Sequence, residues 1–365
     1  MKKSSIPFVG LHAHSVAGSP FDALGYPQDH MDYAYENGCE ALALTDHGNM
    51  NGMAYQVLHA KKMKAEGKNF KPIFGVEAYF IPSLEAWNQE RDKAKEDKKR
   101  ASELKDSTTM SVENEAETKR SKSILNQRSH LILLAQNQTG LNNIFAMISK
   151  SNSDEYFFRY PRVDYEVLKE HSEGVIAASA CMGGVYAANF WKFWDNENEC
   201  ITDQGGCEDA FRDTTKRMVD IFGDRWYGEL QWHTDKKQHM INKLVIQMHK
   251  EFGIPLISTC DSHYPSPDAW NDRELYKKIG WLGKGKPEWM SDELPESVEE
   301  IGYELYPKNG EQMWADYKRY SNIIHTDVAY DDDIVRNSIL ETVNIAFERI
   351  EDFLPDNTVR LPDFV

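Results

Sequence analysis

What this sequence has little of narrows it before any motif is read. No apolar run is long enough to cross a bilayer. The opening MKKSSIPFVGLHAHS carries no apolar signal-peptide segment. Cysteine is scarce and odd in number, five in 365 residues. That argues against a disulfide framework and leads us to expect a reducing, cytoplasmic setting. Basic charge is in deficit: 42 Lys and Arg against 59 Asp and Glu give a formal net charge of −17. This excludes a protein that binds nucleic acid through a broad basic surface. It leaves room for a local cleft in which metal ions hold a phosphate backbone. With 41% apolar and 12% aromatic residues the chain is globular rather than disordered, and its length suits one large domain or two ordinary ones.

What is present is alternation. Apolar, β-branched runs at 8–14, 41–47, 72–81, 130–135, 175–181, 227–232 and 255–261 read as strands. Amphipathic stretches such as 27–38 and 238–253 lie between them. In the latter, Met240, Leu244, Ile246, Met248 and Phe252 keep near-helical spacing up to Gly253. Strands alternating with helices predict an α/β fold with a mostly parallel sheet, and seven such units favour a closed or nearly closed barrel over an open sheet. Three stretches depart from the pattern. Residues 83–128 mix both charge signs with almost no core residues and read as a solvated insertion, part helix and part mobile loop. Residues 195–209 read as an acidic surface loop, because Cys200 and Cys207 are spaced wrongly for a zinc knuckle. From 284 onward two helical patterns, within 291–317 and 331–355, suggest an extension, residues 284–365, packed on a barrel formed by residues 1–283.

Polar residues of metal-ligand type gather where the strand runs end. His12 and His14, two apart, project to the same face of their strand. Asp46 and His47 close the second run, Glu77 lies in the third, Cys181 ends the fifth, and Asp261 and His263 end the seventh. His130 opens its run instead of closing it, an awkward fit to the rule that chemistry gathers at one strand-end face. Singly, each has a plain structural explanation: a surface histidine, a helix cap, a buried thiol. Jointly they point to metal. Imidazoles with carboxylates and one thiolate suit Zn²⁺, Mn²⁺ or Fe²⁺ rather than Ca²⁺ or Mg²⁺, and so many donors imply more than one ion. Such centres suit phosphoester hydrolysis.

The pieces FVGLHAHSVAGSPFDAL, ALALTDHGNMNGM, KPIFGVEAYFIP, HLILLAQNQTGLNNI, FRYPRVDYEVLKEHSEGVIAASACMGG and STCDSHY resemble, in order, the PHP domain (polymerase and histidinol phosphatase) at the N-terminus of bacterial DNA polymerase III alpha subunits. The resemblance extends into the later MWADY, NSILETVNIAFERI and LPDFV. It implies a seven-stranded, distorted (β/α) barrel. It implies three divalent ions held by His12, His14, Asp22, His47, Glu77, His130, Cys181, Asp261 and His263. It casts Asp46 as a group orienting a ligand and Arg162, in YPRVDY, as a phosphate contact. The activity implied is metal-dependent 3′–5′ exonuclease proofreading on the single-stranded 3′ end of DNA during replication. Possible partners are a separate polymerase chain and replisome proteins, with no membrane. Gly10 stands where the family usually carries a third histidine, and no PD-x-D-x-D stretch is present, so polymerisation is not expected of this chain by itself. Two other readings stay open: a phosphoesterase acting on small phosphomonoesters, and a non-catalytic module supporting a split polymerase.

Overall fold

Six of the seven predicted runs form strands in the computed structural model, which describes residues 4–104, 126–282, 293–323 and 329–355. They are β1 (Ala41–Leu44), β2 (Lys71–Phe80), β3 (Ser129–Ala135), β4 (Val175–Ala178), β5 (Trp226–Leu230) and β6 (Leu256–Ser258). The six make one sheet in chain order. β1 and β2, β4 and β5, and β5 and β6 pair in parallel, whereas β3 is antiparallel to both its neighbours. Parallel neighbours need a crossover. These are supplied by α2 (Met53–Ala65) between β1 and β2, α7 (Gln204–Phe222) between β4 and β5, and α8 (Lys236–Phe252) between β5 and β6. α8 ends, as its sequence predicts, at a left-handed Gly253 with φ +69°.

The seventh expected strand, 8–14, is not one. It makes isolated parallel bridges only, Gly10 to Leu42 beside β1 and Ala13 to Ser262 just past β6. Its hydrogen bonds explain the irregularity. Val9 N–H donates to the Thr342 hydroxyl (3.1 Å) and Ala13 N–H to the Thr45 hydroxyl (3.1 Å), so side chains take donors that a regular ladder would use. The segment nevertheless touches both edges of the sheet, and Val9 and Leu11 are buried with Ala41, Ile73, Ile132, Ile176, Tyr227 and Ile257 in the hollow of the curl.

Ile345, Ala346 and Ile350 share that apolar cluster. They follow α12 (Asp332–Asn344) and lie at the N-terminal ends of the parallel strands, where Lys71 Nζ donates to the Ala346 and Ile350 carbonyls (2.7 and 2.6 Å). One end of the curled sheet is thereby sealed by apolar residues, and the opposite end is left for polar ones. The rest of the C-terminal pattern is less helical than expected: α10 (Val298–Ile301) is one turn, and residues 302–309 are irregular before α11 (Gly310–Ile323).

Of the expected insertion, α3 (Leu84–Leu104) is seated on the core by Leu84, Trp87 and Ala94. Residues 105–125 of it lie outside the described residues, as does LPDFV at 361–365. The stretch 195–209 is only partly a surface loop. It contributes to a short hairpin (Trp194–Asp195 with Cys200–Ile201) and then enters α7, capped by Asp203 and burying Cys207 completely. No helix among the described residues is long and apolar enough to cross a membrane.

Candidate metal centre

The reversed direction of β3 removes the one misfit in the sequence pattern. His130, at the start of β3, pairs with Tyr79 near the end of β2, so it stands at the same end of the sheet as residues that close the parallel strands. There the chain brings all nine ligand-type side chains together. His12, His14 and Asp261 form one group: His12 Nε2 and His14 Nε2 are 3.0 Å apart, and each faces Asp261 Oδ1 at 3.1 and 3.0 Å. His47, Glu77 and His130 form a second, with His47 Nε2 3.2 Å from Glu77 Oε2 and His130 Nδ1 3.0 Å from Glu77 Oε1. His14, His47 and His263 form a third. Asp22 Oδ2 lies 3.6 Å from His47 Nε2 and 3.5 Å from His263 Nε2, and Cys181 Sγ lies 3.7 Å from His130 Nδ1.

In three of these histidines the other ring nitrogen is tied down in a way that aims these atoms inward. His12 Nδ1 meets Glu229 Oε1 at 2.7 Å. A carboxylate only accepts, so Nδ1 carries the proton and Nε2 faces the cluster. His263 Nδ1 meets the Asp261 carbonyl at 2.7 Å, with the same result. Ser19 donates its hydroxyl proton to Asp46 Oδ1 (2.9 Å) and so accepts from His47 Nδ1 (3.1 Å). Asp46 therefore reaches His47 through Ser19, and it is itself fixed by Ser15 N–H and Oγ (2.7 and 2.9 Å). Gly18 makes this possible, since a Cβ there would lie 2.4 Å from that of Asp46. Burial raises the Asp46 carboxyl to about 6 despite those bonds.

These ionisable groups shift one another strongly. Burial disfavours ionisation of Glu77, yet His130 and His47 outweigh it and hold its carboxyl well below the usual range. Burial likewise disfavours charge on His12, but Asp261 and Glu229 hold its pKa well above ordinary. His14 goes the other way, lowered by burial and by His47 and His263. Burial, with Asp261 and Glu77 beside it, raises the Cys181 thiol, an effect a bound cation would invert. Both Glu77 oxygens, Asp261 Oδ1, Glu229 Oε2 and His14 Nδ1 are buried without a hydrogen bond of good geometry. Buried polar atoms of that kind are costly unless something completes them, and imidazole, carboxylate and thiol donors fit a zinc-, manganese- or iron-like ion. The backbone is strained to match. Phe21, Ala180 and Asp261 have φ of +66°, +60° and +49°, and they stand on or next to Asp22, Cys181 and Asp261. Such left-handed non-glycine residues cost about 1–3 kcal/mol each and cluster at functional sites.

One expectation is corrected. Arg162 does not offer its guanidinium to a phosphate. It is fully buried, donates to the Gln127, Phe158 and Tyr160 carbonyls (3.0, 2.9 and 3.0 Å) and stacks 4.4 Å from the Trp87 ring. Its donors are spent on the hairpin at 157–161 and on anchoring α3. Two residues that motif spacing does not single out matter more. Glu229 backs His12, and its signal is a lone carboxylate within the apolar run WYGEL. Arg273, on α9 (Trp270–Trp281), holds Asp22 through both Oδ1 and the backbone carbonyl, each at 2.8 Å; nothing local marks it.

A curled α/β sheet gathering five imidazoles, three carboxylates and a thiol at one end defines an α/β domain with side chains that could hold metal. The chain belongs to the PHP domain family, whose model matches residues 10–233. It is 30% identical over 310 residues to the DNA polymerase III subunit alpha of Borreliella burgdorferi, covering 84% of this chain and 22% of that one. It is 31% identical over 311 residues to the corresponding subunit of Helicobacter pylori, covering 85% and 22%. The chain thus spans about a fifth of the length of these curated relatives. Among solved structures it is similar, at 13% identity and a TM-score of 0.33, to a candidate metal-dependent phosphoesterase from Bifidobacterium adolescentis, covering 87% of this chain and 98% of that one. That likeness is too slight to bear on chemistry.

Proposed function

We propose that this chain is a metal-dependent phosphodiesterase that removes nucleotides from the single-stranded 3′ end of DNA, as a cytoplasmic proofreading module working beside a polymerase chain and other replisome proteins. The observation that carries the reading is the convergence of nine donor side chains around buried, uncompleted carboxylate oxygens of Glu77 and Asp261. Three Zn²⁺, Mn²⁺ or Fe²⁺ ions are the cofactors, held by His12, His14 and Asp261, by His47, Glu77, His130 and Cys181, and by Asp22 and His263 with His14 and His47. When bound, they polarise a phosphoryl oxygen and supply a nucleophile near neutral pH.

The protein's own part is orientation. Glu229 and Asp46, the latter through Ser19, fix the His12 and His47 rings, and Arg273 fixes Asp22. A −17 chain binds DNA through this pocket and its rim rather than over its whole surface. The test is to incubate metal-loaded protein with 3′-labelled single-stranded DNA and with p-nitrophenyl phosphate. Stepwise loss of the 3′ label supports the proposal. Turnover of the small ester alone points to a phosphomonoesterase, and turnover of neither, in protein shown to hold metal, points to a structural module.

A further inference from the structure

With Arg162 spent inside the fold, the pocket still needs a cation from the protein to meet a phosphate. We propose that Arg128 is that group: a phosphate-anchoring residue at the rim of the metal centre, binding the backbone of the nucleotide strand. This deepens the reading above and rests on it.

Arg128 stands two residues before His130, and residues i and i+2 of an extended chain share a face. Their common neighbour bears this out. The Tyr79 ring packs 5.6 Å from the His130 ring and also lies 5.5 Å from the Arg128 guanidinium carbon. The guanidinium carbon also lies 3.9 Å from the Tyr160 ring centroid, and Tyr79 and Tyr160 pack edge to face at 5.2 Å. A guanidinium packed against aromatic rings keeps its rigid, planar fork of N–H donors, the geometry suited to bidentate capture of a phosphate.

Those donors are mostly unspent. Among the described residues, Arg128 gives one hydrogen bond, Nη1 to the Asn126 carbonyl at 3.2 Å, and has no carboxylate partner. Its Nε is buried with no acceptor. A guanidinium donor desolvated without a partner is costly, and among the described residues no carboxylate competes with an anionic ligand for this guanidinium. Arg162, by contrast, has its donors on three carbonyls.

The test measures binding of a fluorescent single-stranded oligonucleotide to metal-loaded protein across a salt series. For single strands the slope of log K against log salt is about −0.7 per phosphate contact. Arg128→Gln should flatten the slope by about 0.7 and weaken binding by about tenfold at low salt. Arg128→Lys should keep the slope but still bind more weakly, because it retains charge without the planar fork. An unchanged slope and affinity in Arg128→Gln, in protein that melts like the wild type, overturns the proposal and leaves the exonuclease reading standing. If the wild type binds no oligonucleotide, the DNA reading fails, and the KM for p-nitrophenyl phosphate decides the arginine's role. A raised KM in Arg128→Gln supports the anchor, and an unchanged KM overturns it.

Discussion

Glu229 shows how one side chain outside the donor set can govern the centre. It is buried, and its Oε1 accepts from His12 Nδ1, Gln231 Nε2 and the Thr259 hydroxyl. It thereby fixes which His12 nitrogen faces the pocket. Partners of this kind change metal affinity about 10–100-fold when lost. Glu229→Gln should lower metal affinity within that range, read by competition with a chromophoric chelator, while the fold survives; an affinity equal to wild type would remove Glu229 from the account. His30 gives a separate, pH-dependent prediction. Burial lowers it from 6.5 to about 4, against a hydrogen bond from its Nε2 to the Leu24 carbonyl (2.9 Å). The unfolded chain therefore takes up this proton near 6.5 and the folded chain only near 4, so His30 destabilises the fold progressively as pH falls through that window. His30→Gln should remove about 2–3 kcal/mol of the stability lost between pH 7 and pH 4.5 in urea denaturation. A loss identical to that of the wild type would contradict this.

Among the elements, β3 carries the clearest lesson about what a sequence discloses. Its apolar run was legible, as were its length and the histidine that opens it. Its direction was not, because direction is set by the partner strands and not by local periodicity; only pairing with β2 shows that His130 belongs with the other donors. The segment 8–14 makes the opposite point. Its alternation reads as a strand, but two of its N–H groups go to Thr45 and Thr342 hydroxyls, a choice fixed by residues far along the chain. Arg162 was expected to contact phosphate and Arg128 was not singled out by sequence; which carbonyls lie in reach is what separates them. α11 docks through a further long-range choice: Lys308, buried before the helix, pairs with buried Asp316 within it and donates to the Glu304 carbonyl (2.6 Å). Lys308→Met should cost about 3–5 kcal/mol by stranding Asp316. Adding Asp316→Leu should recover most of it in equilibrium unfolding, and a double variant no more stable than the single would show that packing, not charge, is lost.

At the scale of the molecule, the two ends of the sheet divide the work. Ile345, Ala346 and Ile350 close one end with apolar side chains supplied by the last described helical region, and the other end holds five histidines and the carboxylates that face them. Composition and motif order made the α/β class and the donor residue types readable, because strand ends recur at regular places along the chain. Several of the hydrogen bonds that orient the donors come from residues far along the chain, up to 251 positions away for Arg273 and Asp22, and spacing could not reveal them. The central claim is that these donors enclose cations. Anomalous diffraction from crystals grown with Mn²⁺ tests it most directly. The account predicts more than one peak, each bounded by the His12–His14–Asp261, His47–Glu77–His130 or His14–His47–His263 groups, and loss of the peak beside Glu77 in Glu77→Gln. An anomalous map with no peak at this end of the sheet, in crystals saturated with the ion, would contradict it.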